Sequence, residues 1–260
     1  MQNNADQGKI SAVITTQNNE DTITVCLESI KDIGDIVIVD SFSSDKTIEL
    51  VKKYTDRIYF RRWDGFYEQK KYAVSLANND WVLFLDSDDV LDEELLEEIY
   101  RTLSRNEQYT GYEVKVVANF LGRDLKYTVK PFFRIKLFRK NKTIMVKNGI
   151  DEDFTTENLG RITKGILRHF TSTTARSRLS KTFLYASLFA DECYNSKEGK
   201  KWFVNIFYWP VRSFFGAFFI QQGFRDGWPG FLWCLFNALQ HFLRYWIIGK
   251  RRIKSKLRTI

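Results

Sequence analysis

The chain contains only three cysteines, Cys26, Cys193 and Cys234, in 260 residues. They stand far apart and in no metal-ligand spacing, which excludes a disulfide scaffold or a zinc module and predicts reduced core thiols of a cytosolic protein. The opening Met1-Gln-Asn-Asn-Ala-Asp-Gln-Gly8 lacks an apolar signal region, so export is not expected. No uncharged run reaches the ~20 residues needed to cross a bilayer. Arg212, Arg225, Asp226 and Arg244 interrupt the most apolar stretch. Internal repeats and low-complexity tracts are also missing. Acids are scarce toward the C-terminus: from Arg161 onward Asp191, Glu192, Glu198 and Asp226 are the only ones. The formal charge of +8 is therefore placed unevenly. A basic, aromatic-rich C-terminal part points to an anionic surface such as a membrane, a phosphorylated glycan or nucleic acid. No nucleic-acid-binding module is recognisable, which removes the last of these.

What is present reads as a folded protein. Hydrophobic residues make up 44% and charged residues 28%, values of a globular chain, and the length suits one domain with appendages. The chain is organised around Trp81-Val-Leu-Phe-Leu-Asp86-Ser-Asp88-Asp89. The short apolar run predicts a buried strand of a parallel sheet, with carboxylates just past its C-terminal end, where open α/β sheets bind ligands. Two carboxylates around one serine repel unless a cation or proton lies between them, so Asp86 and Asp88 either suit a divalent ion holding a diphosphate or begin the next helix. Asp89 and Asp92 read instead as the start of the next helix.

Upstream, Lys9–Thr15, Asp35–Asp40 and Asp56–Phe60 are further expected strands, alternating with helices from Ile23, from Ser44 and over Tyr67–Ala77. An acidic helix is predicted over Asp92–Ser104. This alternation implies right-handed crossovers and an α/β, doubly wound, mostly parallel sheet. After Thr110 the pattern turns antiparallel, with strand-like segments at Leu125–Val129, Phe132–Phe138 and Ile162–Phe170, and a polar loop at Asn148–Asp153. A helix is expected over Ser177–Asn195. From Pro229 an apolar stripe (Phe231, Leu232, Leu235, Phe236, Leu239, Phe242, Leu243, Trp246) opposes Asn237, Gln240, His241 and Arg244. With the basic tail Lys250–Arg258, the stripe predicts an in-plane helix on an anionic membrane surface. The competing reading packs the stripe as ordinary core.

Four segments in this order resemble the family-2 glycosyltransferases of the GT-A fold: Thr15-Thr-Gln-Asn-Asn-Glu20, Val39-Asp-Ser-Phe-Ser-Ser-Asp-Lys-Thr47, Trp63-Asp-Gly-Phe66 with Gln69-Lys-Lys71, and Asp86-Ser-Asp88. The later pieces Asn148–Glu152, His169, Lys181 with Tyr185, and Gly223–Gly230 resemble a narrower group, the small lipopolysaccharide inner-core β-glucosyltransferases. Asp151 stands where that group usually has histidine. The resemblance implies a GT-A catalytic domain over residues 1–175, divided into a nucleotide-sugar side (1–110) and an acceptor side (111–175). Residues 176–260 would then form C-terminal amphipathic, membrane-associating helices.

The activity implied is inverting, metal-dependent transfer of a sugar from a nucleotide sugar such as UDP-glucose to a lipid-linked glycan. The acceptor implied is the heptose of the lipopolysaccharide inner core, with a capsule or O-antigen polyprenyl-diphosphate glycan as the alternative. The place implied is the cytoplasmic face of the bacterial inner membrane. Nucleotide-sugar contacts fall to Thr15, Gln17, Asn19, Asp40, Lys70, Asp86, Ser87, Lys181 and Tyr185. Asp40 could receive a base N–H or cap a helix. Lys70 could meet phosphates or lie on a solvated helix face, and Lys181 and Tyr185 could meet phosphate or line the surface. Mg2+ or Mn2+ would be held by Asp88, Asp86 and His169, although His169 also reads as a satisfied strand-end histidine. Glu152, then Asp151, is the candidate base. A nucleotidyltransferase would want a glycine- and lysine-rich loop after the first strand, which Thr15–Asp21 does not supply. A non-enzymatic adaptor would not need carboxylates at two strand ends.

Overall fold

A computed structural model describes residues 10–105, 108–148 and 151–257, with the backbone alone for Asn148, Asp151, Glu152, Lys256 and Leu257. These residues form two compact units: residues up to 117 with 131–170, and residues 118–130 with 171 onward.

The first unit begins with alternating strands and helices: β1 (Ile10–Thr16), α1 (Ile23–Glu28), β2 (Asp35–Asp40), α2 (Thr47–Val51), β3 (Ile58–Phe60), α3 (Phe66–Ser75) and β4 (Trp81–Asp86). The strands lie in the order β3-β2-β1-β4, all parallel. Successive side chains of a strand point to opposite faces, and here both faces are covered. Ile10, Ala12, Ile14, Ile36, Ile38, Leu83 and Leu85 share one core with Ile23, Cys26 and Leu27 of α1. Val13, Val37, Val39, Val82 and Phe84 share the other with Ala73 of α3. Burial on both faces is why these strands read as unbroken apolar runs. Of the cysteines, Cys26 and Cys234 are buried and Cys193 half-buried, all with free thiols.

Two elements follow β4 closely, β5 (Asp89–Leu91) and α4 (Glu93–Ser104). The helix starts where expected: Asp92 is its N-cap and accepts from the Leu95 N–H at 2.9 Å. The same carboxylate accepts from the Ile166 N–H at 3.1 Å. Gly165, at φ +73°, lets the chain come this close, since a Cβ there would sit 2.2 Å from the Leu95 nitrogen. Asp89 departs from expectation. It opens β5 and is 1% exposed, so it is no solvated first-turn acid.

The antiparallel edge is built from β6 (Gly111–Phe120), β7 (Arg123–Asp124), β8 (Phe132–Arg139), β9 (Thr143–Asn148), β10 (Asp151–Thr156), β11 (Leu159–Arg161) and β12 (Leu167–Ser172). The main sheet continues from β4 as β8-β6-β12-β5, with β4–β8, β6–β8 and β5–β12 antiparallel. A doubly wound, mostly parallel sheet with an antiparallel edge is the GT-A arrangement. Within the polar loop expected at Asn148–Asp153, Asn148 instead ends β9 and Asp151–Asp153 open β10, the two strands pairing antiparallel in register Asn148↔Asp151; Gly149 and Ile150 lie outside the described residues. Phe154 anchors this hairpin, 4.3 Å from the Phe138 ring and 5.4 Å from Phe84.

The second unit is mainly helical: α5 (Ala175–Cys193), α6 (Lys197–Lys200), α7 (Trp202–Phe215) and α8 (Gly227–Leu257). A wider π-turn carries α7 on to Ile220. Pro229 lies in the first turn of α8, where its missing N–H costs nothing. The strand expected at Leu125–Val129 does not form, because its amides are committed elsewhere. The buried Asp226 carboxylate accepts from the N–H groups of Lys126 (3.0 Å), Tyr127 (3.1 Å) and Thr128 (2.7 Å), and from the Thr128 hydroxyl.

Candidate active site

Strand register assembles the site. Thr15 lies beside Asp86 across β1 and β4, and Thr16 beside Asp40 across β1 and β2. The carboxylates of β2 and β4 therefore flank the end of β1 on either side. The loops after β1 and β2 are tied together. Gln17 donates to the Ser41 carbonyl, the Asn18 N–H to the Ser43 hydroxyl at 2.8 Å, and the Asn19 N–H to the Thr47 hydroxyl at 2.8 Å. Asp40 is fully buried, and its two oxygens accept from the Ser43 N–H (2.8 Å) and hydroxyl. It thus holds the turn that follows it, while Asp45 accepts from the Thr47 N–H at 3.0 Å at the start of α2. Ser87 is buried as well.

Beyond β4 lies a balanced cluster of charge. Asp86 meets Lys70 at 3.2 Å and Lys136 of β8 at 3.1 Å. Lys70 is therefore turned inward, 12% exposed, and does not occupy a solvated helix face. Asp89 meets Lys136 at 2.6 Å, accepts the Asp86 N–H at 3.0 Å, and contacts His169 Nδ1 at 2.9 Å. The same His169 nitrogen is 3.4 Å from Asp88. Register explains the meeting, since His169 of β12 pairs with Asp89 of β5.

Burial opposes charge at each of these groups, and the neighbours overcome it. Lys136 and Lys70 hold Asp86 well below the usual carboxylate range despite burial. Lys136 and the His169 hydrogen bond do the same for Asp89. Burial pulls His169 down, but Asp88, then Asp89, raise it to about 9. Lys136 is raised by Asp86 and Asp89 in spite of its burial. Beneath them burial, then Asp89, pushes the Cys26 thiol up, so it stays protonated.

Among the described residues, ligand atoms of Asp88, Asp89 and His169 lie within 4.8 Å of one another. Two carboxylate oxygens and an imidazole nitrogen fit Mg2+ or, better, Mn2+. Asp86, expected as a ligand, stands outside this group and is held by two lysines. Asp89 and Lys136 were missed by sequence reasoning. The one available signal was Lys136 itself, a lysine between Ile135 and Leu137 in a strand-like run. The side chains of Glu152 and Asp151, the candidate bases, lie outside the described residues. Lys181 and Tyr185 belong to α5 of the second unit. Lys181 donates to the Thr171 carbonyl at 2.7 Å, and Tyr185 is 6.4 Å from the Phe189 ring.

Known proteins share this chain's features. An uncharacterized glycosyltransferase of Rickettsia typhi is 30% identical, the match covering 95% of this chain and 89% of the relative. The lipopolysaccharide core biosynthesis glycosyltransferase LpsC of Rhizobium meliloti is 29% identical, covering 90% and 89%. Among solved structures, Staphylococcus aureus TarS 1–349 in complex with UDP matches with a TM-score of 0.44 at 16% identity, covering 96% of this chain and 91% of that one. The model of glycosyl transferase family 2 matches residues 11–161, more than half of the sequence. The chain is a glycosyltransferase and belongs to glycosyl transferase family 2.

Proposed function

We propose that this glycosyltransferase moves a sugar, with inversion, from a nucleoside diphosphate sugar to the carbohydrate of a membrane-anchored glycan. The proposed donor is UDP-glucose, the proposed acceptor a heptose of the lipopolysaccharide inner core, and the proposed place the cytoplasmic face of a bacterial inner membrane. The observation that carries this reading is the register that brings Asp40, Thr15 and Asp86 to adjacent strand ends, with Asp88, Asp89 and His169 just beyond. The relationship to LpsC supports the acceptor class.

In this reading Asp40 receives a base N–H on lone pairs that Ser43 leaves free. Thr15, Gln17, Asn19 and Ser87 line the nucleotide side. Lys70 lies beside Asp86, where a diphosphate would need a cation. Asp88, Asp89 and His169 would hold Mg2+ or Mn2+, and Asp86 beside them would serve the ribose or the ion. The ion, when bound, neutralises charge as the diphosphate leaves. Glu152, with Asp151 as its neighbour, takes the acceptor hydroxyl proton as that oxygen attacks the anomeric carbon from the face opposite the diphosphate.

Glycolipids from a strain lacking the protein test the reading by mass spectrometry. One hexose should be missing, restored by the parent gene and not by Asp88→Asn. An unchanged glycan in the deletion strain would overturn the acceptor, and restoration by Asp88→Asn would overturn the site.

A further inference from the structure

The long C-terminal helix is amphipathic the wrong way round for a soluble protein. Its polar side packs inward. Asn237 accepts from Arg178 at 2.8 Å, His241 stacks on Trp209 at 5.8 Å, and the Arg244 guanidinium lies 4.7 Å from the Phe189 ring. Tyr245 and Ile248 are fully buried with Ala190 and Ile206. Burial, then Arg244, pushes His241 down to about 4, so the ring enters this packing uncharged. The apolar side faces out. Trp228, Phe231, Leu235, Phe242, Trp246 and Ile253 are all exposed. On a helix with 3.6 residues per turn these positions form one continuous stripe. From Trp228 to Trp246 no charged residue interrupts it, and Lys250 follows over the Trp246 ring at 5.8 Å.

The neighbouring helix repeats the inversion. Asn205 and Ile206 of α7 are buried, while Phe203, Val204, Phe207, Tyr208, Val211 and Phe215 are exposed, Phe207 by 64%. The stretch Trp202–Ile220 is apolar and long enough to cross a membrane. Yet its inner edge is tied to α8, where Trp202 packs so closely on Gly249 that a Cβ there would come within 2.5 Å of the ring. Only the outer half of α7 is available to another phase.

Charge decides what that phase is. Lys200 and Lys201 stand exposed at the start of α7, and Lys250, Arg251 and Lys254 at the end of the apolar stripe. The acids of this region are four, and Asp226 is buried and already bonded. A second copy would bring a like-charged rim against this one, whereas anionic headgroups neutralise it. Exposed tryptophans beside a basic rim are the composition of a membrane interface.

We infer that the second unit sits in the headgroup and acyl boundary of an anionic bilayer. It does so through the outward faces of α7 and α8, with Phe203, Phe207 and Val211 of one helix and Trp228, Leu235 and Trp246 of the other entering the lipid. The inference rests on the membrane-anchored acceptor proposed above and names the surface that brings the enzyme to it.

Flotation of the full chain with phosphatidylglycerol–phosphatidylethanolamine vesicles is the test, with phosphatidylcholine vesicles as the reference. The parent should float with the anionic vesicles, should be released only in part by high salt, and should lose tryptophan fluorescence to lipids brominated in the acyl chain. The triple variants F203S/F207S/V211S and W228S/L235S/W246S should each lower partitioning by ~10-fold or more, because each removes about the apolar area of three side chains. Their thermal melts and their acceptor-free donor hydrolysis should match the parent. Complete release by salt, absence of quenching, or flotation of both variants at parent level would overturn the inference. So would a parent that forms a dimer and leaves vesicles untouched, since a second copy would then cover this face. Should a variant fail to fold, quenching of the parent still decides. Flotation with no donor hydrolysis in any protein would instead strike the catalytic reading and leave the docking surface standing.

Discussion

Lys136 illustrates how much a single buried residue controls. It is 7% exposed, lies between Asp86 and Asp89, and balances carboxylates that would otherwise repel. Removing one partner of a buried ion pair costs about 3–5 kcal/mol, because the other charge is left uncompensated. Lys136→Met should lower the unfolding free energy from denaturant titration by that order, and adding Asp89→Asn should return part of it. Parent-like stability of the single variant would show that the pairing is not structural. The sign with pH also follows. Asp86 and Asp89 are held below the ordinary carboxylate range, so their contribution is present above about pH 4 and lost as pH falls below it. The acid limb of a stability profile should therefore be shallower in Lys136→Met. For the base, Glu152→Gln keeps shape but removes basicity, and should slow transfer by ~10²–10⁴-fold with donor binding retained. If Asp151→Asn is the inactive variant and Glu152→Gln is near normal, the neighbour is the base. Asp86 and Asp88 were legible from one stretch of sequence because they follow one strand. Asp89, His169 and Lys136 were not so legible as a set, since their meeting depends on which strands pair.

At the scale of elements, periodicity predicts what has one wet face and loses what has none. The parallel strands, α4 with its Asp92 cap and α8 from Pro229 all follow their patterns. α7 does not announce itself, because apolar residues occupy its outer face as well as its inner one. The segment Leu125–Val129 reads as a strand from its residues alone. In the structure Asp226 takes three of its amides, which a ladder would otherwise need. Asp226→Asn should destabilise the second unit by about 1–3 kcal/mol, since buried amides lose a charged acceptor. Far-UV circular dichroism melts would show this as a lower transition. An unchanged melt would mean that the turn is held by the chain on either side. Gly249→Leu should act through packing alone, displacing Trp202 and costing ~1–3 kcal/mol.

For the whole molecule, the uneven charge decides behaviour at a surface more than it decides the fold. Each basic residue near an anionic membrane contributes about 1 kcal/mol, screened by salt, whereas inserted aromatic side chains are not screened. Deleting residues 250–260 should weaken vesicle binding most at low salt and leave the salt-resistant fraction largely in place. Sedimentation across a salt series would read both parts, and loss of the resistant fraction would assign it to the tail. The sequence by itself determined the alternation of strands and helices, the strand that ends in Asp86-Ser-Asp88, and the basic aromatic C-terminus. Each of these is a local pattern of burial or charge, written in neighbouring residues. Only the tertiary structure decided that Lys136 neutralises Asp86 and Asp89, that His169 joins Asp88 and Asp89, and that α8 turns its polar side inward. Those depend on strand order and on which helix face finds a partner, and such pairings over long sequence separations leave no periodic trace in the chain.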